Sequence, residues 1–113
     1  MKHIETLTLH QLIQENPNLV VIDVRSPEEY RLAHVAQAIS MPLDTLMAYP
    51  TESVDQIKEW AGTQETIYVI CLSDRRSFMA CHKLSEHNVK NTCFIKGGTQ
   101  GWITAGYSIV SGL

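Results

Sequence analysis

Apolar and polar positions fall in blocks along the chain, and the blocks differ in period. Leu19-Val20-Val21-Ile22-Asp23-Val24 is a nearly continuous apolar, β-branched run, the pattern of a strand buried on both faces. Thr66-Ile67-Tyr68-Val69-Ile70 predicts a second such strand and Thr92-Cys93-Phe94-Ile95 another, with a short one at Ala38-Ile39-Ser40-Met41 stopped by Pro42. Between these runs the pattern turns helical. Thr8-Leu9-His10-Gln11 has capping-box spacing and opens a helical stretch through Glu15, which Asn16-Pro17-Asn18 breaks. Ser26-Pro27-Glu28-Glu29 is a stronger helix start: Ser26 can cap, Pro27 suits the first helical position, and Glu29 stands three after the cap. Leu43 to Tyr49 predicts a short helix or turn ended by Pro50. Glu52 to Trp60 predicts a helix with Val54, Ile57 and Trp60 at three-residue spacing, ended by Gly62. Ser77 to His87 predicts another, with Met79, Ala80 and Leu84 available to a core, and Gln100 to Ala105 a short last helix after a turn at Gly97-Gly98.

Strands alternating with helices imply βαβ units, hence an α/β fold with a central, mostly parallel sheet and helices on both faces. The 113 residues supply one hydrophobic core, and no linker or repeat divides them, so residues 1–113 are expected to form a single domain. The net charge of −3 comes without any concentration of Lys or Arg, which argues against nucleic acid as a partner. No apolar run approaches the ~20 residues that span a bilayer, and the chain opens without an apolar secretory segment, so no membrane partner is expected. Three cysteines without a CxxC pair or a neighbouring His at ligand spacing disfavour a disulfide scaffold or a zinc site. The expectation is a reduced cytoplasmic chain with no metal and no cofactor.

One cysteine stands in a chemically distinctive place. Cys71 follows directly on the strand through Ile70, and a helix is expected about six residues later. In open α/β sheets ligands bind beyond the carboxyl ends of the strands. A loop there can turn backbone N–H groups toward the sulfur while the helix N-terminus adds partial positive charge. Such donors and nearby cations stabilise the reactive thiolate, and Arg75 and Arg76 supply two guanidinium groups. The same cradle suits a persulfide anion and attracts a small anionic sulfur donor. Cys81, mid-helix, and Cys93, in a strand beside Phe94, lack this setting and are read as structural.

The chain resembles the rhodanese family over nearly its whole length. Asp23-Val24-Arg25-Ser26-Pro27-Glu28-Glu29-Tyr30-Arg31-Leu32-Ala33-His34-Val35 resembles the family's N-terminal signature of Asp-x-Arg, then Glu-aromatic, then small-His-aliphatic, and Ala38-Ile39-Ser40-Met41-Pro42 continues it. Cys71 to Arg76 followed by Ser77 resembles the active-site loop, and Gly97-Gly98 with Trp102 the closing Gly-Gly-x-x-x-Trp motif. The resemblance implies a sulfurtransferase in which Cys71 carries sulfane sulfur as a persulfide, taken from thiosulfate or a protein persulfide and passed to a thiol or cyanide. Leu72, Ser73, Asp74, Arg75, Arg76 and Ser77 then form the substrate-binding loop, while Asp23, Arg25, Glu29 and His34 are structural. In that reading Arg25 pairs with Glu28 or Glu29, and His34 is a hydrogen-bonded packing residue.

Two other functions compete with this one. Related phosphatases place five residues between Cys and Arg, whereas four separate Cys71 from Arg76, so the shorter loop fits a sulfur-sized centre better than a phosphate and disfavours phosphatase or arsenate reductase chemistry. A non-catalytic interaction module on the same fold is the other alternative. It is kept open by Asp74, which stands where the family's loop usually has Gly and brings a negative charge that would oppose the thiolate unless Arg75 or Arg76 pairs with it. Ala33 and Gln37 also stand where the family often has Gly.

Overall fold

In the computed structural model, which describes residues 1–112, five strands and six helices alternate. They are β1 (His3–Glu5), α1 (Thr6–Glu15), β2 (Val21–Asp23), α2 (Pro27–Leu32), β3 (Ala38–Ser40), α3 (Leu43–Ala48), α4 (Pro50–Ala61), β4 (Ile67–Ile70), α5 (Arg75–Glu86), β5 (Thr92–Lys96) and α6 (Gly98–Thr104). All strand pairs are parallel, in the order β1-β5-β4-β2-β3. Strand β2, interior to the sheet between β4 and β3, is buried at every position, which is why its sequence reads as continuous apolar character rather than alternation.

The two faces of the sheet carry separate cores, and the strand period of two sorts residues between them. Ile22 and Val69 point to the side of α3, α4 and α5, where they meet Leu46, Val54, Ile57, Ala80, Cys81 and Leu84. Their neighbours Val21 and Ile70 point the other way, toward Leu9 of α1 and Trp102 of α6. Fully burying a side chain of this size contributes about 1.5–3 kcal/mol. The cores therefore fix the sheet, and with it the height at which each strand releases its loop.

Local chemistry explains most of the helix starts. Ser26 accepts from Glu29 N–H and Glu29 reaches back to Ser26 N–H, a complete capping box with Pro27 in the first turn. The box expected at Thr8–Gln11 is absent: α1 begins two residues earlier at Thr6, directly on the last residue of β1, with no side-chain cap. Strand β1 was not anticipated either. On α5 the core stripe runs through Ser77, Ala80, Cys81 and Leu84, the i, i+3, i+4, i+7 spacing of one helix face. Met79 falls off that stripe and is 40% exposed, contrary to its expected place in the core.

Candidate active site

Strand β4 ends at Ile70, and the loop Cys71–Asp74 leads from it into α5. Cys71 is buried at the base of this loop, Leu72 and Ser73 are exposed, and Asp74 is half-buried. Helix α5 starts at Arg75, two residues before the expected Ser77, because the loop needs no more chain to turn. Arg75 and Arg76 are thus first-turn helical residues, and the third residue of the helix reaches the sulfur. The Ser77 N–H donates to Cys71 Sγ at 3.3 Å. First-turn N–H groups have no partner within their own helix and carry the positive end of its dipole, so this turn suits an anion.

The two guanidinium groups have different fates. Arg76 makes a bidentate pair with Glu29, Nη1 to Oε1 at 2.6 Å and Nη2 to Oε2 at 3.0 Å. The hydrogen bonds from Arg76 are the main reason the Glu29 carboxyl is held at about 2, with the Ser26 contacts adding to the effect against the cost of burial. The same partner raises Arg76. Arg75 is exposed and pairs with no acid among the described residues. Arg25 takes neither of its expected partners. It grips Asp23 instead, with Nη2 2.8 Å from Oδ2 and Nε 3.0 Å from Oδ1, and also donates to the carbonyls of Glu29 in α2 and Ala33 just after it. Asp23 and Arg25 are both buried. Their spacing of two residues lets the side chains meet without any turn of the chain, while Glu29 is claimed by Arg76 from the far side of the sequence.

Asp74 also differs from expectation. Its backbone has φ −148° and ψ −33°, and with φ negative no glycine is required there. Its carboxylate pairs with neither Arg75 nor Arg76. Although Asp74 is the N-cap of α5, it caps no helix N–H; Oδ1 accepts from Gly97 N–H at 2.9 Å. Two further bonds join the same segments: Thr99 N–H to the Cys71 carbonyl at 2.8 Å and Gln100 N–H to the Leu72 carbonyl at 2.9 Å. This approach is close enough that a Cβ on Gly98 would lie 2.4 Å from the Cys71 oxygen, and Gly98 also has φ +58°. The stretch Gly97–Gln100 is therefore part of the site, although the sequence singled it out only as a turn and a motif. The available signal was a Gly-Gly pair leaving β5, the strand beside β4, at the same end of the sheet. Ser77 Oγ and Thr99 Oγ1 are buried here and make no hydrogen bond among the described residues.

The remaining candidates lie apart from the sulfur. His34 is buried, its Nδ1 donates to the Tyr30 carbonyl at 2.6 Å, and its ring stacks on Tyr30. Cys81 and Cys93 are buried and unbridged, and burial pushes the Cys81 thiol up to about 11. A cleft of about 360 Å³ opens beside Arg76, between Ser26, Glu28, Leu43 and Thr45. A larger cavity of about 510 Å³ lies at the opposite end of the sheet, among Lys2, Thr66, Lys90 and Thr92, and includes no residue of the loop. Among the described residues no His, Cys, Asp or Glu cluster is suited to a metal ion, and no helix is long and apolar enough to cross a membrane.

The chain is similar to known proteins both in sequence and in fold. It is 30% identical over 99 residues to the thiosulfate:glutathione sulfurtransferase of Saccharomyces cerevisiae, a match covering 82% of this chain and 70% of that one. It is 30% identical over 102 residues to the putative sulfurtransferase YtwF of Bacillus subtilis, covering 90% of each. Other relatives are longer, and the chain spans 45% and 52% of two of them. The crystal structure of a rhodanese-related protein from Thermoplasma volcanium superposes with a TM-score of 0.76 at 27% identity, covering 97% of this chain and 98% of that one. The Rhodanese-like domain matches residues 6–105, which takes in β2, the Cys71 loop and the Gly97–Gly98 turn alike, and the chain belongs to the rhodanese-like domain family.

Proposed function

We propose that this protein is a sulfurtransferase that carries sulfane sulfur as a persulfide on Cys71. The observation that carries this reading is the contact of Ser77 N–H with Cys71 Sγ at the start of α5. A thiolate held there attacks the outer sulfur of a donor such as thiosulfate. The sulfur–sulfur bond to sulfite breaks, sulfite leaves with the bonding pair, and Cys71 keeps the transferred sulfur as a persulfide anion. An acceptor thiolate or cyanide then attacks that outer sulfur, the new persulfide or thiocyanate departs, and the Cys71 thiolate is regenerated. Each half-reaction is a displacement at sulfur and consumes no oxidant or reductant. A protein persulfide in place of thiosulfate follows the same course, with a thiol as leaving group.

The residues around the sulfur have roles in keeping with this scheme. The Ser77 N–H and the first turn of α5 stabilise negative charge on Sγ and on the persulfide. The Ser77 hydroxyl, free of other protein partners among the described residues, is available to the outer sulfur. Exposed Arg75 attracts an anionic donor, while Arg76, engaged by Glu29, fastens α5 to α2. Gly97 to Gln100 brace the loop from the other side.

Intact-protein mass spectrometry tests the reading. Reduced protein incubated with thiosulfate is expected to gain one sulfur mass, to lose it on cyanide treatment, and to show no gain in the Cys71→Ser variant. An equal gain in Cys71→Ser would overturn the assignment of the carrier. A folded wild type that gains no sulfur from either thiosulfate or a protein persulfide would leave the non-catalytic interaction module as the better account.

A further inference from the structure

We infer that Asp74 is a specificity-determining residue that biases Cys71 away from thiosulfate and toward sulfur borne as a persulfide on an organic thiol; this rests on the sulfurtransferase reading above. An aspartate at an N-cap ordinarily turns its carboxylate onto the helix N–H groups two or three residues on. Asp74 does not, because Gly97 N–H holds Oδ1 at 2.9 Å. The carboxylate is thereby fixed at the rim of the site, on the same segment that bonds the carbonyls of Cys71 and Leu72. No guanidinium neutralises it: Arg76 is taken by Glu29, and Arg75 pairs with no acid among the described residues.

A held negative charge acts unequally on the two donor classes. Thiosulfate is a dianion, and its leaving sulfite carries two charges. A persulfide of an uncharged thiol brings at most one and leaves as a neutral or singly charged thiol. The Coulomb term against Asp74 is about twice as large for the dianion. Arg75 and Lys96, both exposed, offset part of it, but they remain mobile side chains open to salt, whereas the carboxylate is anchored by a backbone N–H. The rim also suits an organic body. Leu72 and Phe78 are exposed, and Phe78 lies one turn beyond Asp74 on the same face of α5. A thiosulfate ion gains nothing from these surfaces, and a thiol-borne donor does.

The test compares sulfur loading of Cys71 by two probes, thiosulfate and the persulfide of N-acetylcysteinamide, in wild type and in Asp74→Asn. Asparagine keeps an oxygen for Gly97 N–H and removes only the charge, so loop position is retained. The ratio of the thiosulfate rate to the persulfide rate is expected to rise about fivefold in the variant at low salt, and the gap is expected to shrink as salt is added. Asp74→Lys should push the ratio further in the same direction. A ratio that is unchanged in both variants would overturn the charge assignment while leaving the persulfide reading intact. Wild type that loads sulfur on Cys71 from neither probe would overturn both.

Discussion

Arg76 and Glu29, 47 positions apart in the chain, are joined by two hydrogen bonds that tie the first turn of α5 to the capping box of α2. One glutamate thus closes a helix start and engages a guanidinium from the helix that follows the Cys71 loop. The pair also links the helix that follows Cys71 to a part of the chain remote from it in sequence.

That link has a pH signature. Glu29 is depressed from 4.5 to about 2, so its contribution to stability is fully present above about pH 4.5 and is lost as pH falls through about 2. Both side chains stay about one-third exposed, at 32% and 31%, so solvent screens the pair and its contribution is about 1 kcal/mol. Glu29→Gln retains a capping-box side chain and removes the charge. Urea unfolding at pH 7 should show the variant less stable by that amount, with the difference closing between pH 4.5 and 2. A difference that persists unchanged down to pH 2 would mean the ion pair is not its source.

Gly98 gives a steric test of the brace. Alanine there meets the Cys71 and Leu72 carbonyl oxygens at 2.4 and 2.7 Å, and backbone has no rotamer with which to yield. Gly106→Ala is the control, because its φ of +83° brings similar conformational strain, yet nothing lies within 4 Å of its Cβ. Both should lose roughly 1 kcal/mol or more of stability from the left-handed backbone. Only Gly98→Ala should also slow sulfur loading, by about tenfold or more, since displacement of a reacting group by about 1 Å can cost about a hundredfold. Equal loading rates in the two variants would show that the brace does not position Cys71.

The cysteines should separate by reactivity. Burial raises Cys81 to about 11 and also raises Cys93, so in the folded protein both thiols resist forming the reactive thiolate. Iodoacetamide adducts on native protein are expected only on Cys71, and Cys71→Ser should take none until unfolded. Modification of Cys81 or Cys93 in the folded variant would contradict the packing around α5.

Features set by neighbouring residues were legible in the sequence. The capping box at Ser26–Glu29 is written in four consecutive residues, and β2 shows itself because both of its faces are covered. The α/β class and the helices on both faces followed from such blocks, while the family resemblance rested on four short motifs in order along the chain. Features decided by distant segments were not legible. Strand β1 is three residues long with two of them exposed, and it is a strand only because β5 lies beside it. Glu29 looked available to Arg25 until Arg76 arrived from the far half of the chain. Asp74 looked like a charge needing an arginine, and what receives it is a backbone N–H from another loop. In each case the deciding partner is remote in sequence and carries no local pattern.

The brace between the glycine turn and the Cys71 loop grips mostly main chain: two of its acceptors are the carbonyls of Cys71 and Leu72. Main-chain grips do not depend on which side chains they carry. Leu72 and Ser73, both exposed, can therefore change identity while the sulfur keeps its place. The scaffold separates what holds Cys71 in place from the face the loop presents to solvent, so two letters can be rewritten without rebuilding the turn beneath them.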